Sequence, residues 1–293
     1  MVIVRIKGGL GNQLFQYAAG YSLAKRLNTE MRLDTSFYPQ QTLRGFKLDK
    51  LAIEYKETVM PGRIVELFKS KYLNKGLRSA NIRKLPIGKD EIYILETRSD
   101  MMDLFFTEKA KKIYIDGYYQ SEKYFKDHHD ELLQQFVPSY EPEVEYLEAV
   151  EQVKKNLSVA VHVRRGDFIK GANDPNPNHY LLGEQYYHNA LRYMSEKLPT
   201  GAVYYWFSDD IEWVKSCFGE KENFRFVSLH TKNGDIDEMQ VMRHCHHIIA
   251  ANSTFSWWAA WMNENPKAIR TVPEKRFGNL HMIPDGWIKI PVE

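Results

Sequence analysis

The feature that most constrains this chain is a repeated alternation. Short runs of β-branched and aromatic residues are each followed by a polar cluster, and several then give way to apolar residues at helical spacing. In the second half, Ser158 to Val163, Val203 to Phe207, Phe224 to Leu229, His247 to Ala251 and Ala268 to Val272 read as strands. A short helix around Trp213 and another from Ile236 to His244 lie between them. Strands alternating with helices predict a parallel sheet with helices on both faces. The first half opens in the same way. Val2 to Ile6 reads as a strand, Gly8-Gly9-Leu10-Gly11-Asn12-Gln13 breaks it, and Leu14, Tyr17, Ala18 and Tyr21 then recur at i, i+3, i+4 and i+7. Asn28 stops that helix, Met31 to Asp34 reads as a second strand, and Ile113 to Gly117 as a further strand and turn. The turn-rich stretch Pro138 to Pro142, followed by a charged helical run to Lys155, marks a boundary. Two α/β halves follow, 1–140 and 141–293.

Composition removes several function classes. Forty Lys and Arg stand against 38 Asp and Glu, a formal charge of +2, which lacks the basic footprint of a nucleic-acid-binding domain. An anionic ligand therefore has to be held locally. Aromatic residues at 13% exclude a disordered chain. Cys217 and Cys245 match neither a disulfide framework nor a zinc spacing and read as two buried thiols. The N-terminus runs into a strand without a signal-peptide pattern. No stretch approaches the ~20 apolar residues of a spanning helix, the richest being Ser256 to Met262. A soluble protein of a reducing cytoplasm is the expectation. The segment 61–89 carries eight basic residues against one acid, Glu66, with Ile64, Leu67, Phe68 and Tyr72 interleaved. It reads as one basic amphipathic helix, either packed on the core with a solvated basic face or docked peripherally on an anionic membrane.

In open parallel sheets ligands bind beyond the carboxyl ends of the strands. Three polar clusters end strands in the second half: His162-Val163-Arg164-Arg165-Gly166-Asp167, Ser208-Asp209-Asp210 and Asn252-Ser253-Thr254-Phe255. Guanidinium is planar, always charged and forked, so it suits phosphate oxygens. Pleating puts His162 and Arg164 on one side and Arg165 on the other, so that Arg164 reaches a ligand and Arg165 braces it. The alternative is a surface Arg-Arg-Asp salt bridge. Ser253 and Thr254 at a helix start form either an anion cradle or a plain N-cap. Trp257, Trp258 and Trp261 read as core anchors. Asp209-Asp210 either binds a divalent cation or caps the next helix; the arginines already supply positive charge, which favours capping. Neighbouring residues cannot all face one ion, so His244-Cys245-His246-His247 is no zinc site. The glycine loop fits a dinucleotide fingerprint at Gly9 and Gly11 but has Leu14 where the third glycine belongs. It suits better a turn that presents backbone N–H groups and Asn12.

Gly8 to Tyr17, His162 to Asp167 and Asn252 to Trp258, in that order, resemble the α-1,2-fucosyltransferases of glycosyltransferase family 11. The resemblance spans residues 1 to about 290, although 40–110 carries no matching motif. It implies a GT-B-like fold, with two Rossmann-like domains facing a cleft: 1–140 on the acceptor side and 141–293 holding GDP-β-L-fucose. It implies inverting transfer of fucose to the 2-hydroxyl of a galactose residue in a glycan, without a metal or other cofactor. Arg164 maps to the pyrophosphate-binding arginine of the H-x-R motif. Asn12, Ser253 and Thr254 approach the donor, and Gly11, His162, Arg165, Asp209, Asp210, Asn252 and Phe255 join that donor site. Among carboxylates Asp167 is the best placed as base; the alternatives are that it holds an arginine and that a donor phosphate oxygen takes the proton. Two rivals remain: a nucleotide-sugar oxidoreductase or epimerase built on the glycine loop, and a non-enzymatic carbohydrate-binding protein.

Overall fold

The computed structural model describes residues 1–40, 45–69, 76, 84–96, 110–166, 181–274 and 282–293. The chain divides into two compact units, Met1–Ser139 and Tyr140–Glu293.

The first unit contains β1 (Val2–Arg5), α1 (Leu10–Arg26), β2 (Met31–Asp34), β3 (Lys56–Thr58), α2 (Gly62–Lys69), β4 (Lys84–Gly88), β5 (Glu91–Leu95), β6 (Lys112–Asp116) and α3 (His129–Gln135). The sheet runs β3-β2-β1-β6-β5-β4, parallel throughout except for the β4–β5 pair. β1 is central and apolar on both faces, with Val2, Ile3 and Val4 all buried, as a strand with parallel neighbours on either side requires. α1 is buried on nearly every face. It begins at Leu10, four residues before the first periodic apolar position, because Gly9 takes the N-cap. Gly11 and Asn12 therefore lie in the first turn of a helix rather than in a loop. The left-handed residue is Gly8, at φ +83°. The helix ends where Asn28 turns left-handed at φ +47°, with Lys25 and Arg26 at its electronegative end.

The basic segment is not one helix. α2 is described over Gly62–Lys69, and Lys84–Gly88 is a strand paired antiparallel with β5 through a turn at Asp90 (φ +61°). Helical spacing of the earlier apolar residues does not carry past Pro86-Ile87-Gly88, where proline and glycine end any helix. Ile64 is fully buried against Ile3, Met60, Tyr93 and Tyr114, so α2 packs on the sheet. Tyr72 lies outside the described residues.

The second unit contains α4 (Val144–Lys155), β7 (Ser158–Val163), α5 (Glu184–Lys197), β8 (Val203–Ser208), α6 (Ile211–Phe218), β9 (Phe224–Val227), α7 (Gly234–Arg243), β10 (His247–Ile249), α8 (Thr254–Trp261), β11 (Arg270–Pro273) and β12 (Ile288–Ile290). Its sheet is wholly parallel in the order β12-β11-β10-β7-β8-β9. Every residue of β7 is buried. One face, with Val159, Val161, Val163, Tyr204 and Trp206, packs on Tyr186, Tyr187 and Ala190 of α5 and Val214 and Phe218 of α6. Trp257 and Trp258 of α8 are fully buried, and Trp257 donates to the Met282 carbonyl at 2.7 Å. No helix among the described residues is long and apolar enough to cross a membrane.

Candidate functional site

Chain order and spatial order differ in the second unit. The chain leaves the centre through β7, β8 and β9, then returns to β10 on the other side of β7. That reversal is a topological switch point, and the crevice beyond the carboxyl ends of β7 and β10 is where such sheets take ligands. Residues 164–166 follow β7, and residues 250–253 lead from β10 into α8. The His162 ring lies 5.4 Å from that of Phe255, which joins the two strand ends directly.

The two arginines are held differently. Arg165 places its guanidinium 3.9 Å above the Trp213 ring and pairs through Nε with Asp210 Oδ2 at 3.1 Å, which leaves its side chain 13% exposed. Trp213 is on α6 whereas Phe255 is on α8, so Arg165 and His162 project to opposite faces. Arg164 is 28% exposed, with Nη1 2.8 Å from Asp209 Oδ2. Asp209 also accepts the backbone N–H groups of Arg165 (2.8 Å) and Gly166 (3.0 Å). One carboxylate at the end of β8 thus fixes the chain leaving β7. A Cβ at Gly166 would stand 2.8 Å from Asp209 Oδ2, so any larger residue there displaces the carboxylate. Asp210 caps α6 by accepting the Trp213 N–H at 3.1 Å. Both aspartates therefore have structural partners, and the charges of Arg164, Arg165, Asp209 and Asp210 sum to zero. Asp209 and Asp210 thus each hold one arginine of the site, and Asp210 also takes the capping role. Trp213, the brace for Arg165, carries no signal in the sequence beyond its place in a short amphipathic helix.

At the other strand end Asn252 is buried and Ser253 is the N-cap of α8, its Oγ accepting the Phe255 N–H at 3.3 Å. Ser256 Oγ accepts the Ala251 N–H at 3.1 Å and ties the strand end to the helix. The opening turn of α8 presents backbone N–H groups and the positive end of the helix dipole beside Arg164's strand.

In the first unit Asn12 Oδ1 accepts from Gln120 Nε2 at 2.8 Å. Two buried glutamines that periodicity alone treats as misplaced polar residues hold the glycine turn. Gln13 donates to the Gly8 and Gly45 carbonyls (3.0 and 2.9 Å) and accepts from Lys47 N–H (2.9 Å), while Gln16 accepts from Lys7 N–H at 2.8 Å. Asp167 lies outside the described residues.

Among the described residues no group of three or more His, Cys, Asp or Glu could hold a metal ion. In the histidine cluster, His246 Nδ1 meets Ser158 Oγ at 3.0 Å and His247 Nδ1 accepts the Ile269 N–H at 3.0 Å. Burial drives His244 down to about 4. Cys245 is buried and pushed up to about 12 by that burial, whereas Cys217 is only half-buried and donates to Glu184 Oε1 at 3.1 Å.

The sequence is 32% identical to an α-1,2-colitosyltransferase of Escherichia coli, over 99% of each chain. It is 29% identical to the O-antigen biosynthesis glycosyltransferase WbnK of Escherichia coli, over 97% of this chain and 99% of that one. The fold matches the NodZ α-1,6-fucosyltransferase, solved after soaking with GDP-fucose, with a TM-score of 0.52 over 92% of this chain and 94% of that one. At 14% identity that likeness carries the fold, two parallel-sheet α/β units of the GT-B type. The profile of Glycosyl transferase family 11 matches residues 1–277, and with it the chain belongs to that family of glycosyltransferases.

Proposed function

We propose that this glycosyltransferase moves L-fucose from GDP-β-L-fucose to the 2-hydroxyl of a galactose residue, inverting the anomeric centre to form an α-1,2 linkage. The observation that carries the reading is Arg164, anchored by Asp209 at the end of β7, whose paired neighbour β10 leads into the N-terminal turn of α8. Family membership replaces the oxidoreductase and binding-module alternatives with a transferase. The fold shared with an enzyme soaked with GDP-fucose supports the nucleotide.

In this mechanism the C1–O bond to GDP breaks as the acceptor O2 closes on C1 from the opposite face. Negative charge grows on the β-phosphate and oxocarbenium character on the sugar ring. Arg164 and the α8 N-terminus are the donors that stabilise this charge, and they need no reorganisation because the protein already orients them. Arg165, stacked on Trp213, holds the strand end in register. Ser253 and Thr254 line the donor, and Asp167 takes the acceptor proton. Guanidinium groups rather than a divalent ion neutralise the leaving diphosphate.

The colitosyltransferase relative supports a second reading, in which GDP-colitose is the donor. Mass spectrometry of products from GDP-fucose and GDP-colitose with a panel of galactosides, with and without EDTA, tests both. Titration with GDP, UDP and NAD tests the nucleotide. Loss of activity in EDTA with rescue by manganese would overturn the metal-free scheme.

A further inference from the structure

The first unit has its own reversal of strand order, between β1 and β6, and a crevice is expected beyond their carboxyl ends. The chain leaving β6 is Asp116-Gly117-Tyr118-Tyr119-Gln120, and it is clamped. Glu96, just past β5, accepts the backbone N–H of Tyr119 at 2.6 Å and also that of Tyr118. Only glycine fits at position 117, since a Cβ would overlap Glu96. Tyr119 is left-handed at φ +50° with its side chain buried. Such strain in an aromatic residue persists where its surroundings over-determine it, and it clusters at ligand sites.

The clamp turns Tyr118 outward. It is 41% exposed and is the only aromatic among the large apolar side chains left exposed in the described residues. Lys7 Nζ covers part of the ring, 5.2 Å from its centroid, and is itself held by Asp116. The Asn12–Gln120 amide pair lies at the same strand ends. An exposed ring next to a strained residue and bordered by an ammonium, with an amide pair on the same strand-end segment, matches the chemistry of a pyranose, which has an apolar C–H face and a rim of hydroxyls. We infer that Tyr118 is the platform on which a sugar ring of the acceptor glycan stacks. This rests on the transferase reading above and names the residue that would hold its second substrate.

Steady-state kinetics with separately varied donor and galactoside test the assignment. Tyr118→Ala raises the acceptor KM about tenfold, equivalent to ~1.4 kcal/mol, with the donor KM and the GDP affinity at wild-type values. Tyr118→Phe and Tyr118→Trp, which keep the ring, restore the acceptor KM to within about twofold. An unchanged acceptor KM in Tyr118→Ala, or an equal rise in donor KM, overturns the platform while wild-type GDP binding leaves the transferase reading in place. Failure of the wild type to bind GDP overturns both.

Discussion

Replacing Arg164 by alanine separates what this residue does for folding from what it does for reaction. The side chains of Arg164 and Asp209 are 28% and 26% exposed, and such a part-exposed pair contributes ~0–1 kcal/mol to stability. Asp209 keeps its other two partners, the Arg165 and Gly166 N–H groups at 2.8 and 3.0 Å, so the chain leaving β7 stays anchored. The expected fall in Tm is no more than about 2–4 °C for a protein of this size. The transition state loses far more. One preorganised donor aimed at developing phosphate charge is worth roughly 3 kcal/mol, so kcat should drop on the order of a hundredfold or more. Arg164→Lys keeps the charge without the planar fork and should fall between the two. Released GDP at saturating acceptor reports kcat, and scanning calorimetry on the same preparation reports Tm. Turnover within about threefold of wild type would refute the role, because ~0.6 kcal/mol is no more than a surface pair contributes. A loss of activity that tracks a collapsed Tm would refute the separation.

Gly166→Ala pushes a Cβ to 2.8 Å from Asp209 Oδ2, so the carboxylate must move and Arg164 with it; kcat should fall about tenfold with GDP affinity nearly kept, and an unchanged kcat would show that Asp209 does not orient the arginine. Asp167→Asn should remove the acid limb of the kcat/KM pH profile, and a limb that persists would assign the acceptor proton to another group. Burial pushes the Glu238 carboxyl up to about 7, the charges of Asp235 and Asp237 adding to it. Glu238 therefore stays protonated in the folded chain at pH values where the unfolded chain has ionised it. Its stabilising contribution is full below the ordinary value of 4.5 and is lost as pH rises through about 7. Glu238→Gln keeps an acceptor for the Leu229 N–H, now 3.1 Å away, and should flatten the urea midpoint across that window; identical pH dependence in the two proteins would contradict the assignment.

Much of the fold is legible from short windows of sequence. β7, β8, β10 and α7 coincide with their apolar runs to within a few residues, and the tryptophans of α8 are buried at the spacing that marks a core face. What escapes is what local pattern cannot carry. The β4–β5 hairpin hides in a basic stretch whose earlier residues have helical spacing. β12 is only three residues long, and its burial depends on pairing with β11. Within the site, Arg164, Arg165 and the helix start at Ser253 stand out in the sequence, but their partners do not. Asp209 lies 44 residues from the Arg165 N–H it accepts, and nothing local says that it anchors an arginine rather than a cation.

The amino-acid sequence by itself determines the alternation of strand and helix, the polar clusters that end the strands and the presence of an arginine pair among them, because each depends on residues a few positions apart. Only the tertiary structure decides that β7 lies between β10 and β8, that Asp209 and Asp210 each take one arginine, and that Tyr118 faces outward beside a left-handed Tyr119. Those outcomes depend on which distant strands pair, and pairing is settled by the shared burial of a whole sheet rather than by any segment of it.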